Sequence, residues 1–136
     1  MGARARDRNG STPLHLAVQK GSVDLASLLV EHGVNATARD NDGTTPLHLA
    51  VREGSVDLAR LLLKHGADPS ATNFRGSTPL HLAVKPPKKS MELTSLLIEH
   101  GADAIAKDNY GSTPLALALQ EGREDLIHYL RKNLPY

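Results

Sequence analysis

Thr45-Pro46-Leu47-His48-Leu49-Ala50 recurs in this chain as Thr12-Pro13-Leu14-His15-Leu16-Ala17 and as Thr78-Pro79-Leu80-His81-Leu82-Ala83. A fourth copy, Thr113-Pro114-Leu115-Ala116-Leu117-Ala118, carries alanine where the others carry histidine. The threonines are spaced by 33, 33 and then 35 residues. A near-constant step of that size marks a repeat array, in which each unit leans on the next and none buries its apolar face alone. The 136 residues are therefore read as one stack of four units rather than as one ordinary globular core.

The second unit shows how each layer is written. Asn41-Asp42-Gly43 is a turn, with Gly43 free to take a positive φ. Thr45 follows as a helix N-cap whose hydroxyl accepts from a free backbone N–H. Pro46 occupies the first helical position, where a missing N–H costs nothing. Leu47, Leu49, Ala50 and Val51 carry a short helix that Gly54 ends. Ser55 caps a second helix, with Asp57 in its first turn, where negative charge is favoured. That second helix runs through Leu58, Ala59, Leu61, Leu62 and Leu63 to a stop at Gly66. Its polar residues Asp57, Arg60 and Lys64 form one narrow stripe, so the helix is expected to be buried on two sides by neighbouring units.

The run Gly43-x-Thr45-Pro46-Leu47-His48-Leu49-Ala50, then Gly54, then Leu61-Leu62-Leu63-x-x-Gly66-Ala67-Asp68, resembles the ankyrin repeat. The resemblance covers nearly the whole chain and recurs four times. It implies an all-α solenoid of helix-turn-helix units, each with a short β-hairpin or turn finger, two antiparallel helices and a loop. Residues 1–136 are read as a single domain, with repeats at about 7–39, 40–72, 73–107 and 108–136.

The units differ in informative ways. Ala3-Arg4-Ala5-Arg6-Asp7 lines up with Ala36-Thr37-Ala38-Arg39-Asp40, so the chain is expected to begin inside a longer array, a natural N-terminus being the alternative. In the third unit Lys85-Pro86-Pro87-Lys88-Lys89 replaces Arg52-Glu53-Gly54. Prolines cannot continue a helix, so the insertion is expected to bulge between the two helices and leave the stack intact. In the fourth unit Glu124 and Arg131 stand where inner units carry Val56, Met91, Leu63 and Ile98. Charge on an outer face is what a terminal cap needs, and this unit is read as the C-terminal cap.

Composition removes several function classes. Aromatic residues make up 3% of the chain and tryptophan is absent, so the layers must pack through Leu, Ala, Val and Ile. A net charge of +1 supplies no field that calls for nucleic acid or an anionic membrane. The chain has no cysteine, so disulfides and thiolate chemistry are out; this fits a cytoplasmic or nuclear, intracellular protein. Met1 to Arg6 has no apolar run and does not read as a signal peptide. Leu115 to Leu119 is far too short to span a bilayer.

The seven histidines raise the question of a metal. His15, His48 and His81 recur at the repeat step, as do His32, His65 and His100. Equivalent positions of stacked layers lie roughly 10 Å apart, too far for shared coordination at about 2 Å. The family resemblance implies that the first set hydrogen-bonds near its own finger. His128 stands alone on a polar helix face and is read as solvated. Asp24, Asp57 and Asp125 repeat by unit and are helix-start residues. No phosphate loop or nucleophile elbow is present. The chain is therefore read as non-catalytic, with no cofactor and no metal.

The finger turns vary while the frame stays fixed: Arg8-Asn9, Asn41-Asp42, Phe74-Arg75, Asn109-Tyr110. Beyond their glycines these turns are read as free of structural duty. Phe74, the only phenylalanine, and Tyr110 are expected to be exposed, with Arg75 between them in sequence. Exposed aromatics beside an arginine are what protein interfaces use as anchors. The family's partner surface is the fingers plus the groove-facing end of each first helix. By register the helices add Arg52, Glu53, Lys85, Gln120 and Glu121, together with Gln19 and Lys20; Arg39 is also read as a contact residue. The expected function is binding of another protein through this concave face, by a monomer that holds no nucleic acid and no membrane. The alternative is a fragment of a longer array that stacks through its apolar N-terminal layer, around Leu14, Leu25 and Leu29.

Overall fold

The computed structural model describes residues 6–85 and 90–135, the side chain of Ser90 excepted. Among the described residues there are eight helices and no strand: α1 Pro13–Gln19, α2 Val23–Glu31, α3 Pro46–Arg52, α4 Val56–Lys64, α5 Pro79–Ala83, α6 Ser90–Glu99, α7 Pro114–Glu121 and α8 Glu124–Lys132. They form four pairs, α1 with α2 through α7 with α8. The first helices of the pairs pack in one row and the second helices in another. This is the all-α solenoid that the family resemblance implied.

Local chemistry fixes each first helix. Thr12, Thr45, Thr78 and Thr113 are all N-caps with extended backbone, and each side chain accepts from the N–H three residues on. Proline follows at the first helical position in all four. In the second helices Ser22 and Ser55 cap in the same way, accepting from Leu25 and Leu58 at 3.2 Å.

Apolar layers hold the stack. Leu14, Leu47, Leu49, Leu58, Leu62, Leu80, Leu93 and Leu97 are at most 1% exposed. Each such side chain contributes about 1.5–3 kcal/mol relative to exposure. Small residues let the helices close: Ala17, Ala26, Ala50, Ala59 and Ala83 are fully buried. Thr94 occupies the position of Ala26 and Ala59 and is fully buried, with its hydroxyl unpartnered among the described residues.

The core breaks at the last layer. One continuous cluster runs from Leu14 to Ala104, and a second, smaller one joins Val84 to Ala118, Leu126, Ile127 and Leu130. The third unit also departs from the pattern locally. α5 ends at Ala83, five residues long against seven for α1 and α3. Pro86 has no N–H to give to the Leu82 carbonyl, and Lys85 N bonds that carbonyl instead at 3.3 Å, closing the helix early. The expected bulge falls on residues 86–89, which lie outside the described residues. α6 nevertheless packs against α4, α5 and α8, so the stack continues across the insertion.

Candidate functional site

The fingers form a single hydrogen-bonded row. Each opens on an acceptor side chain that braces its own turn. Asp7 Oδ1 accepts from the N–H of Asn9 and Ser11, both at 2.9 Å. Asp40 serves Asp42 and Thr44, Asn73 serves Arg75 and Ser77, and Asp108 serves Tyr110 and Ser112, at 2.9–3.1 Å. Adjacent fingers are then tied by backbone bonds: Asn41 N to Asn9 O at 2.8 Å, Phe74 N to Asp42 O at 3.0 Å and Asn109 N to Arg75 O at 3.0 Å. Side chains add to the ties. Asn41 Nδ2 donates to Arg8 O at 2.9 Å, and Asn109 Nδ2 donates to Phe74 O at 2.8 Å. The turns therefore do have structural duties beyond their glycines, contrary to the reading from sequence. An amide at the second turn position can reach the preceding finger, which the sequence alone does not display.

The recurrent histidines act across layers, not only within their own fingers. His15 Nδ1 accepts from Thr12 N at 3.1 Å, while Nε2 meets the Thr44 carbonyl of the next finger at 2.8 Å. His48 does the same with Thr45 and Ser77, and His81 with Thr78 and Ser112. A carbonyl can only accept, so Nε2 carries the hydrogen, while Nδ1 is the acceptor for the threonine N–H. Burial holds the His48 imidazole below its ordinary value of 6.5; the charges of Arg39 and Arg52 add to this, against the Ser77 carbonyl bond. In the fourth unit Ala116 stands at this position and has no ring to offer such a bond. His32, His65 and His100 turn back on their own helices through Nδ1, at 2.7–3.0 Å from the carbonyls of Leu28, Leu61 and Leu96. Among the described residues no group of three or more His, Asp or Glu side chains could hold a metal ion.

On this braced row lies a groove of about 660 Å³, between the second and third fingers and the ends of α3 and α5. Its walls include Asp42, Phe74 and Arg75 from the fingers, Arg52 from α3, and Leu82 and Lys85 from α5 and its C-terminal end. Phe74 is 68% exposed, yet its ring is seated: a Cβ on Gly43, whose φ is 77°, would lie 2.8 Å from Phe74 Cδ1. The ring thus rests on the bare backbone of the preceding turn.

The groove gathers five of the side chains singled out in the sequence, namely Asp42, Arg52, Phe74, Arg75 and Lys85. Arg8, Asn9, Arg39, Asn41, Glu53, Asn109, Tyr110, Gln120 and Glu121 are exposed but do not line it. Tyr110 is 88% exposed and sits one turn position later than Phe74, the position that Arg75 fills in the third finger. Thr44, His48, Asn73, Ser77 and Leu82 line the groove and were not singled out. The signal for Asn73 was present: Asp7, Asp40, Asn73 and Asp108 recur with the repeat step and share an acceptor oxygen.

At the N-terminal end Leu14 is fully buried and Leu29 half-buried, so of the three leucines expected to form an open layer only Leu25 is exposed, at 42%. Leu16 and Leu28 are open instead, at 39% and 53%, whereas Leu49 and Leu58, equivalent to Leu16 and Leu25, are 1% exposed. At the other end α8 turns Glu124, His128, Arg131 and Lys132 outward. No helix among the described residues is long and apolar enough to cross a membrane. A family model described as ankyrin repeats (3 copies) matches residues 1–73 and again 71–135. The comparison with curated proteins returns no match.

Proposed function

The chain belongs to the ankyrin-repeat family, and from that premise we propose that it binds a partner protein through its concave face and fingers, without catalysing a reaction. Repeats of this family are generally protein–protein interaction modules. The observation that carries the reading here is the seated Phe74 beside Arg52, Arg75 and Lys85, on backbone that two sets of hydrogen bonds already hold. A surface ordered before contact loses little freedom on binding, and an exposed aromatic flanked by arginine is a typical anchor. Affinity capture tests it. A genuine partner is retained by the wild type and by Arg60→Ala, whose side chain pairs with Asp57 on α4, and is lost from the Phe74→Ala/Tyr110→Ala double variant. Equal retention by the double variant, or loss with Arg60→Ala, overturns the assignment of the surface.

A second reading is favoured by the N-terminal layer. Leu16 and Leu25 are open where their equivalents Leu49 and Leu58 in the second layer are covered, and Leu28 is also open, which suits stacking on another layer or a second copy. Light scattering over a dilution series decides between them. A mass that stays monomeric at every concentration removes self-stacking; a mass that falls on dilution, and that Leu28→Glu abolishes, supports it.

A further inference from the structure

Phe74 departs from the rule that its own chain follows. The second turn position holds asparagine in the second and fourth fingers, and both amides reach back to a carbonyl of the preceding finger, at 2.9 and 2.8 Å. Phenylalanine has no amide to give, so the junction of the second and third fingers keeps only its backbone bond, Phe74 N to Asp42 O. In exchange the molecule displays an aromatic ring that is 68% exposed. The exchange gives up a hydrogen bond and leaves most of an apolar ring in water.

The charges around the ring have one dominant sign. Arg52, Arg75 and Lys85 line the groove against the single carboxylate of Asp42. Neither Arg52 nor Arg75 forms an ion pair among the described residues, whereas Arg60 on α4 is paired with Asp57. The cations are also local. Along the row the second and third turn positions read Arg8-Asn9, Asn41-Asp42, Phe74-Arg75 and Asn109-Tyr110, so positive charge does not continue from finger to finger. A nucleic-acid backbone repeats its charge at every step and is matched by a run of cations. A short stretch of protein with carboxylates either side of one apolar side chain needs only what this groove holds.

We propose that the groove receives an extended acidic peptide segment. An apolar side chain of that segment packs on Phe74, and its flanking carboxylates are met by Arg52, Arg75 and Lys85. This deepens the concave-face reading and rests on it. Arginine is the stronger partner here because its planar fork can grip a carboxylate with two parallel bonds. Phe74 is preset by its seat on Gly43, so docking on it immobilises little that is not already fixed.

The test is a selection of random linear peptides displayed against the full chain, followed by fluorescence anisotropy with the enriched peptides. The expected peptides carry Asp or Glu on both sides of an aromatic or aliphatic residue. Phe74→Asn weakens them by about tenfold or more, while its thermal midpoint stays at or above that of the wild type, which separates lost contact from lost fold. Arg52→Gln/Arg75→Gln weakens them to a similar extent and flattens the salt dependence. Phe74→Tyr retains binding. Enriched peptides that are neutral or basic, yet still depend on Phe74, overturn the acidic partner and leave the concave-face reading standing. Peptides indifferent to Phe74, Arg52 and Arg75 but lost with Arg60→Ala overturn both. No enrichment, with steeply salt-dependent binding of single-stranded RNA in its place, overturns the acidic peptide in favour of a nucleic acid.

Discussion

The junction between the first and second fingers and that between the third and fourth are built alike. Each has a backbone bond plus an asparagine amide, and each packs that asparagine tightly over the preceding glycine. The middle junction keeps the backbone bond and replaces the amide with the ring of Phe74. Deeper in the layers all three junctions are the same, since His15, His48 and His81 each reach the next finger's carbonyl. In this chain the outermost side chain of one layer changes while the tie beneath stays constant. That separation lets the exposed row vary without rewriting the stack.

The largest effect should come from the shared tie. His48→Ala removes a side chain that is 1% exposed, leaves the Ser77 carbonyl and Thr45 N–H short of a partner and opens a void. A loss of roughly 2–4 kcal/mol is expected in urea unfolding. If the junctions differ only at their tips, His15→Ala and His81→Ala should lose a similar amount. The His48 tie also carries a pH signature. Its folded value lies below 6.5, so between the two values the unfolded chain binds the proton more readily. Stability from this group is therefore complete above about 6.5 and declines as pH falls from there through the lower folded value. The wild type should lose more stability over that window than His48→Ala; identical pH profiles would refute the linkage.

A smaller effect separates the turn glycines. A Cβ on Gly76 would lie 2.8 Å from the Asn109 backbone nitrogen, and one on Gly10 2.9 Å from that of Asn41. At Gly43 it would meet the Phe74 ring at 2.8 Å and the Phe74 nitrogen at 3.0 Å. Gly111 shares their positive φ, at 78°, but has nothing within 4 Å. Gly111→Ala should thus cost only the left-handed backbone strain, about 1–2 kcal/mol. Gly10→Ala, Gly43→Ala and Gly76→Ala should each cost about 1–3 kcal/mol more, because a neighbouring finger must shift. Thermal unfolding of the four variants checks the order, and an equal loss at Gly111 would mean that finger packing contributes nothing.

These junctions mark where the sequence was legible. The repeat step, the Thr-Pro starts and the leucine spacing placed the helices and the layered core, because those signals are local and periodic. The exposure of Phe74 and Tyr110 followed from the same frame. What stayed hidden was reach between layers. Whether His48 bonds its own finger or the next, and whether the Asn41 amide is free or tied, depends on the offset of one layer against another. No periodicity within one strand of text contains that offset. The groove was half legible for the same reason: Arg52 and Lys85 could be read from register, but Thr44, His48 and Ser77 line it only because consecutive fingers lean together.

The smallest effect is the most discriminating, and it concerns the exchange of asparagine for phenylalanine. Asn109→Ala removes the amide bond to the Phe74 carbonyl from an exposed tip. A cost near 1 kcal/mol is expected, toward the lower end because water can replace the partner. Phe74→Asn runs the other way. It supplies an amide at the position from which Asn41 and Asn109 reach the preceding finger, and it withdraws a ring that is 68% exposed. Stability should hold or rise by up to about 1 kcal/mol. If Phe74→Asn instead destabilised the chain by as much as Asn109→Ala, the ring on Gly43 would be a packing element of the stack. The middle junction would then differ from its neighbours in how it holds together, and not in what it offers to a partner.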